Sequence, residues 1–92
     1  MKTKKNEKKM NGKATSSHSP TLGESFAVNL RRYRERLDVS QAGLAARAGV
    51  TTGHISMLER GTRNPSFEVI EHLAAALNVR DPRKMFAVRS GA

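Results

Sequence analysis

The sequence predicts an all-α fold, a compact five-helix bundle behind a disordered, Lys-rich N-terminal tail. Three observations predict it. Apolar residues recur at helical spacing in successive segments beyond residue 20. A capping residue precedes each segment, and a residue tolerant of the left-handed conformation follows most of them. No segment alternates polar and apolar residues as a half-buried strand does, and Val50 and Val79 each stand beside a turn.

Residues 1–20 differ from the rest. Lys2, Lys4, Lys5, Lys8, Lys9 and Lys13 face only Glu7, and Asn, Ser, Thr and Gly fill the gaps. Such a segment buries too little apolar surface to offset its ordering entropy, so disorder is expected. Two uses are open for it: a solubilising tail, or a basic arm adding non-specific phosphate contacts.

The domain is expected over residues 21–88, with a flexible C-terminus at 89–92. Thr21 and Glu24 have capping-box spacing. Phe26, Leu30, Tyr33 and Leu37 then share one helical face, with Asn29, Arg31, Arg32, Glu35 and Arg36 mainly on the others. Asp38 takes the left-handed end position. Ser40 caps a second helix, whose inward residues are Leu44, Ala45 and Ala48 and which Gly49 ends. Thr51 caps a third, which turns Ile55 and Leu58 inward and stops at Gly61. Pro65 bars helix before it and Ser66 caps the fourth, whose stripe is Phe67, Ile70, Leu73, Ala74 and Leu77. Asn78 terminates that helix. Asp81 and Pro82 open a last short one carrying Met85 and Phe86.

The stretch from Ser40 to Gly61 is the centre of this plan. Two short helices joined at a tight glycine turn form a helix-turn-helix, whose second helix can enter a DNA major groove. Charge agrees with that use. The 92-residue chain carries a formal charge of +9, which favours a polyanion: nucleic acid first, an anionic membrane surface second. Other classes find little support. With no Cys there is no disulfide, thiolate metal site or Cys nucleophile, which suits a reducing cytoplasm. No apolar run is long enough to span a membrane, and no apolar core follows the basic N-terminus as in a secretory signal. The carboxylates Glu24, Glu35, Glu68 and Glu71 are dispersed and no nucleophile motif is present, so no enzyme is expected. His18, His54 and His72 lie far apart, so no metal or other cofactor is expected either.

The runs LRRYRERLDVSQ, GLAARAGVTTGHIS, LERGTRNPS and LAAALNV together resemble the phage repressor/Cro-type (Xre) helix-turn-helix family from about Leu22 to Phe86. The ending RNPS also resembles the controller proteins of restriction-modification systems. The resemblance implies a homodimer on a two-fold operator in double-stranded DNA, with the third helix reading bases. It places Thr52, Gly53, Ser56 and Met57 at base edges. Their chemistry is sparse: two hydroxyls, a bare backbone and a thioether that packs on apolar edges such as a thymine methyl. Direct readout is therefore expected to be modest, with shape and phosphate contacts carrying more.

Phosphate contacts are expected at the helix starts Ser40, Gln41 and Thr51, where free N–H groups favour an anion. They are also expected at His54, Arg60, Arg63 and Asn64, with Arg31 and Arg32 exposed but more distant. The resemblance implies a structural ion pair between Arg34 and Glu59. Met85, Phe86 and Val88 are the expected dimer surface, although Met85 and Phe86 could instead close the monomer core. The expected function is a transcriptional regulator acting as a repressor, with no small-molecule substrate. The alternative is a protein-interaction module such as a toxin-neutralising antitoxin.

Overall fold

Thr21 sets the start of the first helix. In the computed structural model, which describes residues 19–88, its Oγ1 accepts from the Glu24 amide at 3.1 Å. The Glu24 carboxylate accepts from the Thr21 amide at 2.9 Å, completing a capping box. Helix α1 runs Leu22–Arg36, α2 Gln41–Ala48, α3 Thr52–Arg60 and α4 Phe67–Ala76. Ser40, Thr51 and Ser66 cap the last three, each accepting from the amide three residues on. The endings are equally uniform. Asp38 and Asn78 adopt φ of 59° and 61°, and Gly49 and Gly61 both 74°. The amides of Val39, Val50, Thr62 and Val79 each reach back five residues to a helix carbonyl at 2.8–3.2 Å. The flexibility expected at 89–92, and the disorder expected of the tail 1–20 apart from its last two residues, lie outside the described residues.

The fifth expected helix is a 3-10 helix, Pro82–Phe86, so the bundle has four α-helices among the described residues, and no strand. Five residues are too few to repay α-helix nucleation, and Pro82 at the first position has no amide to contribute. Asp81 caps it through the Arg83 amide at 3.0 Å.

Phe26, Leu30, Leu44, Ile55, Leu58, Leu73 and Met85 form the fully buried centre of the core. Helix α1 packs on α3 and on the 3-10 helix, α2 packs on α3 and α4, and α4 meets the 3-10 helix. The Phe26 and Phe86 rings meet at 5.4 Å between centroids.

Four side chains depart from the positions expected of them. Phe67, read as core, is 88% exposed. It occupies the first position of α4, where no element covers the stripe that Ile70, Leu73, Ala74 and Leu77 continue inward. Met85, read as dimer surface, is 0% exposed and lies wholly in the monomer core. Asn29, read as an outer residue, is buried because its Nδ2 donates to the carbonyls of Met85 at 3.0 Å and Ala87 at 2.8 Å. This carboxamide fastens the C-terminal segment to α1. Arg32, read as exposed, is half-buried, with its Nη1 covered by protein and without a hydrogen-bond partner.

Candidate nucleic-acid interface

Helix α3 is held from beneath and at its end. Ile55 and Leu58 are buried and anchor its inner face. Near its C-terminus Glu59 accepts two bonds from Arg34, Nε to Oε2 at 2.6 Å and Nη2 to Oε1 at 3.0 Å. The side chains are 13% and 5% exposed, so water screens the pair little. Arg34 Nη1 also donates to the Val39 carbonyl at 2.9 Å. The hydrogen bond to Glu59 is the main cause that raises the Arg34 pKa, keeping the guanidinium charged. One guanidinium therefore joins the end of α1, the loop after it and the end of α3.

Gln41 completes this arrangement. Its Nε2 donates to Glu59 Oε1 at 3.0 Å. The carboxamide expected to touch phosphate is thus turned toward α3, because a buried carboxylate with spare lone pairs is the strongest acceptor within its reach. The backbone amide of Gln41 keeps its place at the N-terminus of α2. The first amides of a helix have no partner within it, so Gln41 and Ala42 on α2, and Thr52 and Gly53 on α3, present N–H groups suited to an anion.

The other face of α3 is open. Thr52, Gly53 and Arg60 are exposed, whereas Ser56, Met57 and His54 are half-buried. A Cβ added to Gly53 meets nothing within 4 Å, so close approach is available there. Beyond Gly61, the loop residues Arg63 and Asn64 are exposed. Asn64 lies against the start of α1: a Cβ on Gly23 would stand 3.2 Å from its Oδ1. Ser40 and Thr51, both exposed, spend their hydroxyl oxygens as acceptors in helix caps. Arg31 pairs with Glu35 across one helical turn at 3.0 Å, and the Arg36 guanidinium sits 5.4 Å from the centroid of the Tyr33 ring. Sequence reasoning missed Gln41 as the third member of the lock and Asn29 as a clamp. Neither carries a local signal, since each finds its partner through tertiary packing.

Of the expected dimer residues, Phe86 is half-buried and Val88 exposed, and they open onto different clefts. Among the described residues there is no helix long and apolar enough to cross a membrane, and no group of three or more metal-ligating side chains.

A four-α-helix domain with a capped glycine turn and an open third helix defines a helix-turn-helix protein. The family model described as Helix-turn-helix matches residues 30–82, and the chain belongs to that family, in its repressor (Xre) type. Its relatives include an uncharacterised HTH-type transcriptional regulator, y4dL, of Sinorhizobium fredii, 39% identical over 71 residues. Another, Rv0474 of Mycobacterium tuberculosis, is 40% identical over 62 residues. These matches cover 73% and 67% of this chain but 36% and 43% of those proteins, so the chain spans less than half the length of either relative. Among solved structures, the restriction-modification controller protein C.AhdI from Aeromonas hydrophila superposes with a TM-score of 0.66 at 36% identity, covering 70% of this chain and 96% of that one. The clp gene regulator ClgR from Corynebacterium glutamicum gives 0.67 at 30% identity, covering 73% and 86%.

Proposed function

We propose that the chain is a sequence-specific DNA-binding repressor that acts as a homodimer on a two-fold operator, with α3 in the major groove. The observation that carries this reading is the division of α3. Its inner side is locked by Ile55, Leu58 and the Glu59–Arg34–Gln41 cluster. Thr52, Gly53, Ser56 and Met57 are left for base edges. The helix-start amides, Thr51 and His54 beside the start of α3, Arg60 at its end and Arg63 and Asn64 past it would flank them with phosphate contacts. One such helix covers only a few base pairs, so useful specificity calls for two half-sites about one DNA turn apart. Repression needs nothing beyond occupancy of such a site, and a regulator of this kind works in the cytoplasm.

Selection of bound sequences from random DNA tests this reading. The expected result is a two-fold symmetric consensus, with Met57→Ala altering preference at one position per half-site. Enrichment of no sequence would overturn the DNA-reading assignment. An unchanged consensus with Met57→Ala would remove Met57 from the reading set.

A further inference from the structure

Gln41 is the first residue of α2, and Glu59 the last but one of α3. The turn from Gly49 to Thr51 joins the other two ends of these helices. The bond from Gln41 Nε2 to Glu59 Oε1, at 3.0 Å, therefore ties the far end of α3 back to the start of α2. The helix-turn-helix is closed into a triangle. Two of its sides are helices of eight and nine residues, about 12 Å and 14 Å long, and the third is a pair of side chains. With the helical sides rigid, the length of the third side sets the angle between them. Among the described residues this is the only side-chain hydrogen bond between α2 and α3. Apolar packing between the helices is non-directional, whereas a hydrogen bond is specific in length and angle.

Glu59 is the fixed corner of the triangle. Arg34 holds both its oxygens from α1, at 2.6 and 3.0 Å, and the Glu59 side chain is 5% exposed. The carboxylate cannot follow a change at position 41, so the side chain there must supply both the length and the donor. Ser56 and Met57 stand three and two positions before Glu59, within one helical turn of it. We propose that Gln41 is a positioning residue for base reading: by closing the third side of the helix-turn-helix, it sets the angle at which α3 presents Ser56 and Met57 to DNA. The proposal rests on the DNA-reading function above and deepens it. One residue faces the DNA backbone through its helix-start amide and α3 through its carboxamide.

Fluorescence anisotropy at fixed salt tests this, comparing the operator obtained by selection with unrelated DNA. Gln41→Leu keeps the size of the side chain and removes the donor. Its ratio of specific to non-specific affinity should fall about tenfold, the scale of a hydrogen bond to a charged group. Its affinity for unrelated DNA should stay at the wild-type level. Gln41→Glu supplies a second readout. Arg34 is already matched by Glu59, so in alkaline buffer a second carboxylate beside Glu59 is repelled and the ratio should fall as in Gln41→Leu. As the pH is lowered from about 8 to about 5, one carboxyl of the pair takes up a proton and can donate to the other. The ratio, taken relative to wild type at each pH, should then recover. Because the recovery is read within one variant, a folding defect does not produce it. Equal losses on both DNAs would make the carboxamide an ordinary phosphate contact and overturn the proposal. A wild-type ratio in Gln41→Leu would overturn it, as would a Gln41→Glu ratio that stays low throughout. A wild-type chain with no preference for any sequence would instead overturn the DNA-reading function beneath it.

Discussion

Glu59 accepts from Arg34 twice and from Gln41 once, at 2.6–3.0 Å, with little exposure to water. Removing one member of a buried pair leaves an uncompensated charge, which costs about 3–5 kcal/mol. Glu59→Ala should therefore lower the unfolding free energy in urea by about 3 kcal/mol or more. Replacing Arg34 and Glu59 together by Met should cost less than that single change. A loss below about 1 kcal/mol would mean that the pair behaves as an exposed one. The partnership of Arg34 with Glu59 was legible only through family resemblance, because 25 residues separate them. The part of Gln41 was not legible. Its carboxamide can turn toward a phosphate or toward Glu59, and only the packed geometry decides. Asn29 was hidden for a similar reason: its partners are backbone carbonyls of residues 85 and 87, which no pattern around position 29 announces.

At the scale of elements, local chemistry decided most of the outcome. Thr21, Ser40, Thr51, Ser66 and Asp81 all cap where hydroxyl and carboxylate side chains are expected to, since a cap involves only residues a few positions apart. The 3-10 helix and the exposed Phe67 escaped, because periodicity states which residues share a face but not whether another element covers it. Two glycines of the helix-turn-helix should respond in opposite directions to alanine. Gly49 has φ 74°, where a Cβ is strained, so Gly49→Ala should cost about 1–2 kcal/mol. Gly53 lies inside α3 with open space around it, so Gly53→Ala should stabilise by just under about 1 kcal/mol. Thermal melts of the two variants check this, and equal signs would contradict the assignment of the turn. If Gly53 meets the DNA, the stabilised variant should also bind its operator less well.

For the whole molecule, the proposed DNA binding would be an exchange of cations, given the +9 charge and the exposed Arg60 and Arg63. Affinity should fall steeply as salt rises. Arg63→Ala should reduce the slope of log K against log salt by about 1 for each subunit engaged, without changing the consensus. Fluorescence anisotropy across a salt series measures it, and an affinity that stays flat would refute the phosphate-gripping edge. The all-α class and the position of the helix-turn-helix were legible from spacing alone, whereas the outward surfaces were legible only in part. Burial rewards regular patterns, but an exposed surface is shaped by partners that do not appear in the chain.

The division of α3 has a consequence for how such a protein changes over time. Ile55, Leu58 and Glu59 hold the helix, while Thr52 and Gly53 are exposed and Ser56 and Met57 half-buried. On the proposed reading, scaffold and text are written in different letters of one nine-residue helix. If those positions read bases as proposed, new preferences can arise by single exchanges there while the domain underneath stays as it is, so lineages sharing this scaffold can diverge in what they read without first relearning how to fold.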